Sequence, residues 1–337
     1  MKETIYRAWR KRNALFYSVL VPLSWIFALV TALRREAYRV GVLKTHVLPV
    51  PVIIVGNIHL GGSGKTPVVI WLLEHLKELG YQPAVISRGY GGTAKLPTPV
   101  NANSDPSIVG DEPVLIANRF KCPIWVGANR VNVGLELLKA HPHCNVIISD
   151  DGLQHYRLKR DVEIAVIDAE NYLKNARLLP AGSLRESISR LQTVDAVIKN
   201  GELSMDTEHV ASVENAYAMQ LIGTEFYNLA DPVLKASAPD FKRKIVKAMA
   251  GIGNPGRFFE HLRQLGLNFA SSGFDDHHPF SAMDLAKIEC DVLLMTEKDA
   301  VKCKSFAKPH HWVLPIEAKI EGDLMRLVLR KLHHRTH

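Results

Sequence analysis

The sharpest chemical signal in the chain is Gly61-Gly62-Ser63-Gly64-Lys65-Thr66, set between an apolar run at residues 52–55 and an amphipathic stretch at 67–79. Phosphate binding needs these residue types in this order. Glycines let backbone N–H groups converge on phosphate oxygens, a following helix adds its positive end, a lysine reaches the β- and γ-phosphates and a threonine hydroxyl can ligate Mg²⁺. The general pattern asks for a further glycine where this chain has His59. Downstream, Asn145 to Asp151 reads N-V-I-I-S-D-D, an apolar strand ending in two carboxylates. This is the acidic partner a P-loop requires, so Asp150 or Asp151 is expected to hold Mg²⁺, directly or through water. Two further groups combine carboxylates and imidazoles: Gly110-Asp111-Glu112-Pro113 and Asp275-Asp276-His277-His278-Pro279-Phe280. Brought together, a carboxylate and an imidazole can form a base and its proton relay for a hydroxyl acceptor. Taken singly, each is an ordinary polar turn or helix start.

These groups need a scaffold, and the pattern from residue 50 onward supplies one. Short β-branched runs alternate with longer amphipathic stretches, the signal of βαβ units and a parallel sheet. Strands are expected at 52–55, 84–87, 124–126, 146–148, 164–167 and 196–198, with a helix at 67–79. A second set follows a polar linker at 200–215: strands at 245–250, 292–295 and 312–314, and helices at 255–265 and 323–332. The expected fold class is α/β: a P-loop NTPase-like doubly wound, mostly parallel sheet, a second smaller α/β domain and an N-terminal membrane-associated helix. The corresponding boundaries are 1–40, 41–225 and 226–337.

With 337 residues, 47% of them hydrophobic, the chain can bury cores of this size without staples. Its net charge of +8 suits an anionic membrane surface or a phosphorylated substrate. The basic residues are not interleaved with aromatics on a recognisable module, which argues against nucleic acid as a partner. Four scattered cysteines without a C-x-x-C pair exclude a disulfide framework and imply a reducing compartment. Residues 13–33 carry no charge and are flanked by Arg7, Arg10, Lys11 and Arg12 on one side and Arg34, Arg35 and Arg39 on the other. The length just reaches across a bilayer, but Pro22, Ser18, Ser24 and Thr31 dilute it, favouring a helix lying in the interface over a spanning one. A buried core helix is the competing reading.

In chain order, Gly56-Asn57-Ile58, the glycine loop, Ser87-Arg88-Gly89-Tyr90-Gly91-Gly92, Gly110-Asp111-Glu112-Pro113, Asp150-Asp151-Gly152-Leu153-Gln154-His155, Leu184-Arg185-Glu186, Gly251-Ile252-Gly253-Asn254-Pro255, Asp276-His277-His278 and Thr296-Glu297-Lys298-Asp299-Ala300 together resemble the tetraacyldisaccharide 4'-kinase family. The resemblance covers almost the whole chain. It implies ATP-dependent phosphorylation of the 4'-hydroxyl of an acylated glucosamine disaccharide 1-phosphate, giving lipid IVA at the cytosolic face of the inner membrane, by an enzyme expected to act as a monomer. It also implies roles. Asp111 would be the general base with His277 as partner, His278 being the alternative. Lys65 and Thr66 would hold phosphate and metal, Asp150, Asp151 and Glu186 the Mg²⁺ shell, and Arg130 would neutralise the moving phosphoryl group. The rival reading is a P-loop ATPase switch of the partition or metal-insertion type, against which stands the absence of an early lysine at His59 and Leu60.

Overall fold

The computed structural model describes residues 14–169, 176–201 and 215–333; most of the expected 200–215 linker lies outside them. The first described element is a helix, Ala14–Arg39. Within the span Ser18–Arg39, only 6% of an 18-residue apolar stretch is buried, so the core-helix reading does not hold. Trp25, Ile26, Leu29, Val30 and Leu33 are all exposed. Among its contacts with the rest of the protein, Ser24 Oγ donates to the Leu178 carbonyl at 2.7 Å, and the Tyr38 ring sits 6.1 Å from that of Tyr156.

A nine-stranded sheet forms the larger unit. Its parallel part runs β8 (Ala216–Ile222), β7 (Ala196–Asn200), β6 (Val162–Asp168), β1 (Val52–Gly56), β5 (Val146–Asp150), β2 (Pro83–Ser87), β4 (Ile124–Val126), with β15 (Glu317–Ile320) and β3 (Thr98–Val100) antiparallel at the two edges. The central strands read as continuous apolar runs because both faces are covered. Ile53, Val55, Val85 and Ile148 point to one face, under Val68, Leu72 and Leu76 of the helix Lys65–Glu78. Ile54, Ile86 and Ile147 point to the other, against Val133 and Leu137 of the helix Arg130–Ala140. Each such fully buried side chain contributes about 1.5–3 kcal/mol.

The second sheet has six strands in the order β10 (Lys235–Ser237), β9 (Glu225–Asn228), β14 (His311–Leu314), β13 (Val292–Thr296), β11 (Val246–Ala250), β12 (Ala270–Gly273). Its core is aromatic: Phe226, Phe241, Phe258 and Phe259 pack with Leu262.

The closing elements depart from the expected division. The helix expected at 323–332 within the second domain is Leu324–His333, and Leu324, Leu327, Val328 and Leu332 join the core of the nine-stranded sheet with Ile198 and Met219. β15 likewise pairs with β8, register Ala318↔Leu221. The physical reason is an open edge: β8 needs a partner, and the amphipathic helix after β15 covers the apolar face beside it. The chain thus enters the second unit after Ile222 and returns to the first by Glu317.

Several side chains tie the units together, Arg119 and Arg257 among them. Arg119, at the end of the helix Asp111–Arg119, pairs with buried Glu297 at 3.0 Å. Arg257 donates to the Asn200 carbonyl at 3.0 Å and pairs with Asp168 at 3.1 Å, both at the carboxyl ends of β7 and β6.

Candidate active site

The register of β1 with β5, Val55↔Asp150, brings the chain after Gly56 and the pair Asp150-Asp151 out of the sheet side by side. β1 is also where the order reverses, with β5 and β2 to one side and β6 and β7 to the other, the place where ligands settle in open α/β sheets. Between β1 and the helix Lys65–Glu78 lies the glycine loop. Gly64 caps that helix in the left-handed conformation, φ 92°, and a β-carbon there would lie 2.8 Å from Asn200 Nδ2, so both backbone and space require glycine. Asn200 Nδ2 donates to the Ser63 carbonyl at 3.1 Å, and Asn57 Nδ2 to the Gly61 carbonyl at 3.3 Å. The loop is therefore held in shape by side chains from β7 and from the end of β1. His59, in place of the pattern's first glycine, is buried, and burial and then Lys65 depress its pKa to about 4; the loop gains no charge from it.

Lys65 Nζ stands 3.5 Å from Asp151 Oδ1, and Arg185 Nη1 3.0 Å from Oδ2. Burial raises the Asp151 carboxyl, but these two cations outweigh it and bring its pKa to about 2. Asp150 behaves oppositely. It is fully buried, and burial, reinforced by the charge of Glu112, lifts its pKa to about 7. Among the described residues its Oδ1 has no hydrogen-bond partner, while Ser87 Oγ donates weakly to Oδ2 at 3.4 Å. A buried, orphaned carboxylate oxygen next in the chain to a second carboxylate offers hard oxygen donors of the kind Mg²⁺ takes, and Thr66, in the first turn of the helix after the glycine loop, carries a further one.

Of the residues expected to complete the shell, Glu186 is otherwise engaged. Its Oε1 accepts from Gln154 Nε2 at 2.7 Å and its Oε2 from the Tyr156 hydroxyl. It is linked to Asp151 through Gln154 and Arg185, whose Nη1 lies 3.5 Å from Gln154 Oε1. Arg130 is not a solvated surface charge: it is buried, and burial lowers its pKa to about 10 despite the nearby Asp151. Its Nη1 donates to the Gly127 and Ala128 carbonyls, and its Nε has no partner among the described residues.

The second constellation comes from both units. Asp111 opens its helix on the large unit, and His277 lies on the loop after β12 of the small one. Nδ1 of His277 faces both carboxylate oxygens of Asp111, at 3.1 and 3.0 Å. His278 turns away, toward Phe274, Phe280 and Asp284, so of the two histidines it is His277 that meets Asp111. Burial pushes Asp111 up, but the His277 hydrogen bond and the Lys298 charge outweigh it, leaving its pKa below the ordinary value. The pair adjoins the phosphate loop: a β-carbon built on Gly253, in the loop after β11, would lie 2.8 Å from the Gly62 nitrogen and 3.6 Å from Asp276 Oδ2.

Lys298 enters the sequence analysis only within the string Thr296-Glu297-Lys298-Asp299-Ala300, with no role assigned. It stands within the site, with Nζ 3.2 Å from Glu112 Oε1 and 3.3 Å from His277 Nε2. The only signal for it was its place in Thr296-Glu297-Lys298-Asp299 after an apolar strand. Arg257 gave no signal, because its partners Asp168 and Asn200 are distant in sequence.

A glycine loop at the switch point of a parallel sheet, backed by paired aspartates on the neighbouring strand, defines a P-loop α/β protein. Comparison narrows the class. Residues 16–333 match the family described as tetraacyldisaccharide-1-P 4'-kinase. The tetraacyldisaccharide 4'-kinase of Methylobacillus flagellatus is 47% identical over 314 residues, 93% of this chain and 91% of that one. That of Azoarcus sp. is 46% identical over 326 residues, 97% and 94% of the two chains. The crystal structure of LpxK from Aquifex aeolicus in complex with ATP superposes with a TM-score of 0.79 at 30% identity, covering 94% of this chain and 99% of that one. The chain belongs to the tetraacyldisaccharide 4'-kinase family. The rival reading, a partition-type ATPase switch, gives way to that membership.

Proposed function

We propose that this protein transfers the γ-phosphoryl group of ATP to the 4'-hydroxyl of a tetraacylated glucosamine disaccharide 1-phosphate, forming lipid IVA and ADP. The observation that carries the acceptor half is the Asp111–His277 pair, 3.0 Å apart across two units and beside the phosphate loop. Asp111 takes the hydroxyl proton as the acceptor oxygen forms its bond to the γ-phosphorus. The bond from that phosphorus to the β-bridging oxygen breaks, and its electron pair leaves on ADP. A carboxylate whose pKa lies below the ordinary value is ionised at neutral pH, so the base is always in its working form. Lys65 and the loop N–H groups hold the β- and γ-phosphates.

Mg²⁺ fits Thr66, Asp150 and Asp151, and when bound would neutralise charge on the phosphate oxygens. Glu186, with both oxygens engaged, would steady Gln154 and so Arg185 and Asp151 instead of ligating the ion. Arg130 brings a buried positive charge to the same end of the sheet and would stabilise the migrating phosphoryl group.

The exposed apolar face of the N-terminal helix would hold the enzyme at the cytosolic surface of the inner membrane, where an acylated acceptor resides. One chain carries both halves of the site, so a monomer suffices.

The test is transfer of label from γ-labelled ATP to tetraacyldisaccharide 1-phosphate in detergent micelles with Mg²⁺. Label should reach the lipid with the native chain and not with Lys65→Met. Release of label only as free phosphate, with or without lipid, would overturn the assignment.

A further inference from the structure

The loop after β5 meets the N-terminal helix, a contact that anchoring to a membrane does not require. The Tyr156 ring on this loop lies 6.1 Å from the ring of Tyr38 on the helix Ala14–Arg39. The Arg34 guanidinium, one turn earlier on that helix, sits 5.9 Å from the Tyr38 ring and 6.0 Å from that of Tyr156. These separations suit a tilted aromatic pair with a cation shared between two ring faces. The chain just past the helix extends the contact. His46 N–H donates to the Arg157 carbonyl at 2.8 Å, and Lys159 N–H to the His46 carbonyl at 2.9 Å. Earlier in the helix, by contrast, Ile26 and Leu29 are exposed.

From Tyr156 a line of hydrogen bonds runs to the phosphate end. Its hydroxyl donates to Glu186 Oε2, and Glu186 Oε1 accepts from Gln154 Nε2 at 2.7 Å. The same Gln154 nitrogen donates to the carbonyl of Asn57, whose side chain holds the glycine loop at Gly61. Arg185 Nη1 lies 3.5 Å from Gln154 Oε1 and donates to Asp151 Oδ2 at 3.0 Å. Arg160 braces the same stretch of chain: Nη1 donates to the Leu153 carbonyl at 3.0 Å and Nη2 to that of His155 at 2.6 Å, with the guanidinium 5.1 Å from the Tyr156 ring.

Resting on the reading of Asp151 and the glycine loop as the phosphate end, we infer that the last turns of the N-terminal helix position the active site, with Tyr156 as the positioning residue through which Arg34 and Tyr38 hold Gln154, Arg185 and Asp151. The helix then has two parts with separate work. Its exposed apolar face meets lipid, and its final turns clasp the loop that carries the site. A side chain locked by packing keeps its hydrogen-bonded neighbours in a narrow range of positions. Take away the Tyr38 ring and the Tyr156 side chain loses the wall that keeps its hydroxyl on Glu186. Gln154 and Arg185 then lose their support in turn, so transfer slows even when the acceptor is at hand.

The experiment uses the full chain in detergent micelles, as native protein, Tyr38→Leu, Tyr38→Phe, Tyr156→Phe and the double variant Ile26→Ser with Leu29→Ser. Steady-state transfer to tetraacyldisaccharide 1-phosphate gives kcat and the acceptor KM. Amide hydrogen exchange across residues 152–160, in protein free of nucleotide and metal, reads the clasp itself. Tyr38→Leu and Tyr156→Phe should each lower kcat about tenfold, with the acceptor KM within about twofold of native. Tyr38→Leu should also speed exchange at 152–160 while the strands of the large unit keep native rates. Tyr38→Phe, which retains the ring, should restore both readings. The Ile26 and Leu29 double variant should instead raise the acceptor KM and leave exchange at 152–160 native. Native exchange in Tyr38→Leu overturns the inference, whether or not Tyr156→Phe folds. So does a Tyr38→Leu defect that lies wholly in the acceptor KM, which would make the entire helix an anchor. Absence of transfer by the native chain, with exchange still faster in Tyr38→Leu, would overturn the proposed reaction and leave the clasp standing.

Discussion

The two halves of the site are built by different means. At the phosphate end, the glycine loop, Lys65, Thr66, Asp150 and Asp151 all hang from adjacent strands of one sheet, and the pairing Val55↔Asp150 fixes their separation. At the acceptor end, Asp111 and His277 are 166 residues apart in sequence and belong to separate sheets. Their 3.0 Å contact depends on how two units dock, through Arg119–Glu297, Arg257–Asp168 and the approach of Gly253 to Gly62. A half supported by one rigid sheet tolerates changes elsewhere. A half supported by docking is sensitive to every tie between the units.

Substitutions can break this comparison or sharpen it. The largest effect should come from Asp111→Asn, which removes the base and leaves the phosphate end intact: kcat should fall about 10²–10⁴-fold, with the KM for ATP moving less than about twofold, read by steady-state kinetics at saturating lipid. Lys65→Met should cost about 10²–10³-fold in transfer and, unlike Asp111→Asn, should also weaken nucleotide binding measured by calorimetry. Gly253→Val places a branched side chain against the phosphate loop from the other unit. It should raise the KM for ATP about tenfold, a loss of about 1.4 kcal/mol, and an unchanged KM would mean the units do not meet there as described. The smallest effect concerns pH. Asp111 is held below its ordinary value, so its contribution to stability is present above the unfolded value and is lost as pH falls through the lower folded one. The difference in Tm between Asp111→Asn and the native chain should thus be level from pH 6 to 8 and shrink only below about pH 4.

The same contrast explains what the sequence revealed. Val52–Gly56, Ile124–Val126 and Val146–Asp150 were legible because a buried parallel strand is a short β-branched run, and the phosphate loop because its chemistry is contiguous. Ala216–Ile222 and Glu317–Ile320 were missed: one alternates partly polar residues and the other is a short edge strand, so neither stands out before its partner is known. For the same reason the closing helix was placed with the wrong sheet, since an amphipathic stripe shows that a face is buried but not against what. The choice between His277 and His278 needed the loop itself, where His277 takes φ 61° and turns its ring to Asp111 while its neighbour stacks on Phe274. Lys298 and Arg257 act across the docking surface, where no local pattern encodes a partner.

The most direct test of the assembled acceptor half is single-turnover transfer from γ-labelled ATP to tetraacyldisaccharide 1-phosphate, comparing the native chain with Asp111→Asn when nucleotide is fully bound. The account predicts label in the lipid from the native chain and at least about a hundredfold slower transfer from the variant, at equal nucleotide occupancy. Transfer by Asp111→Asn within about twofold of native would contradict it, and would mean that the carboxylate meeting His277 across the two units is not the base.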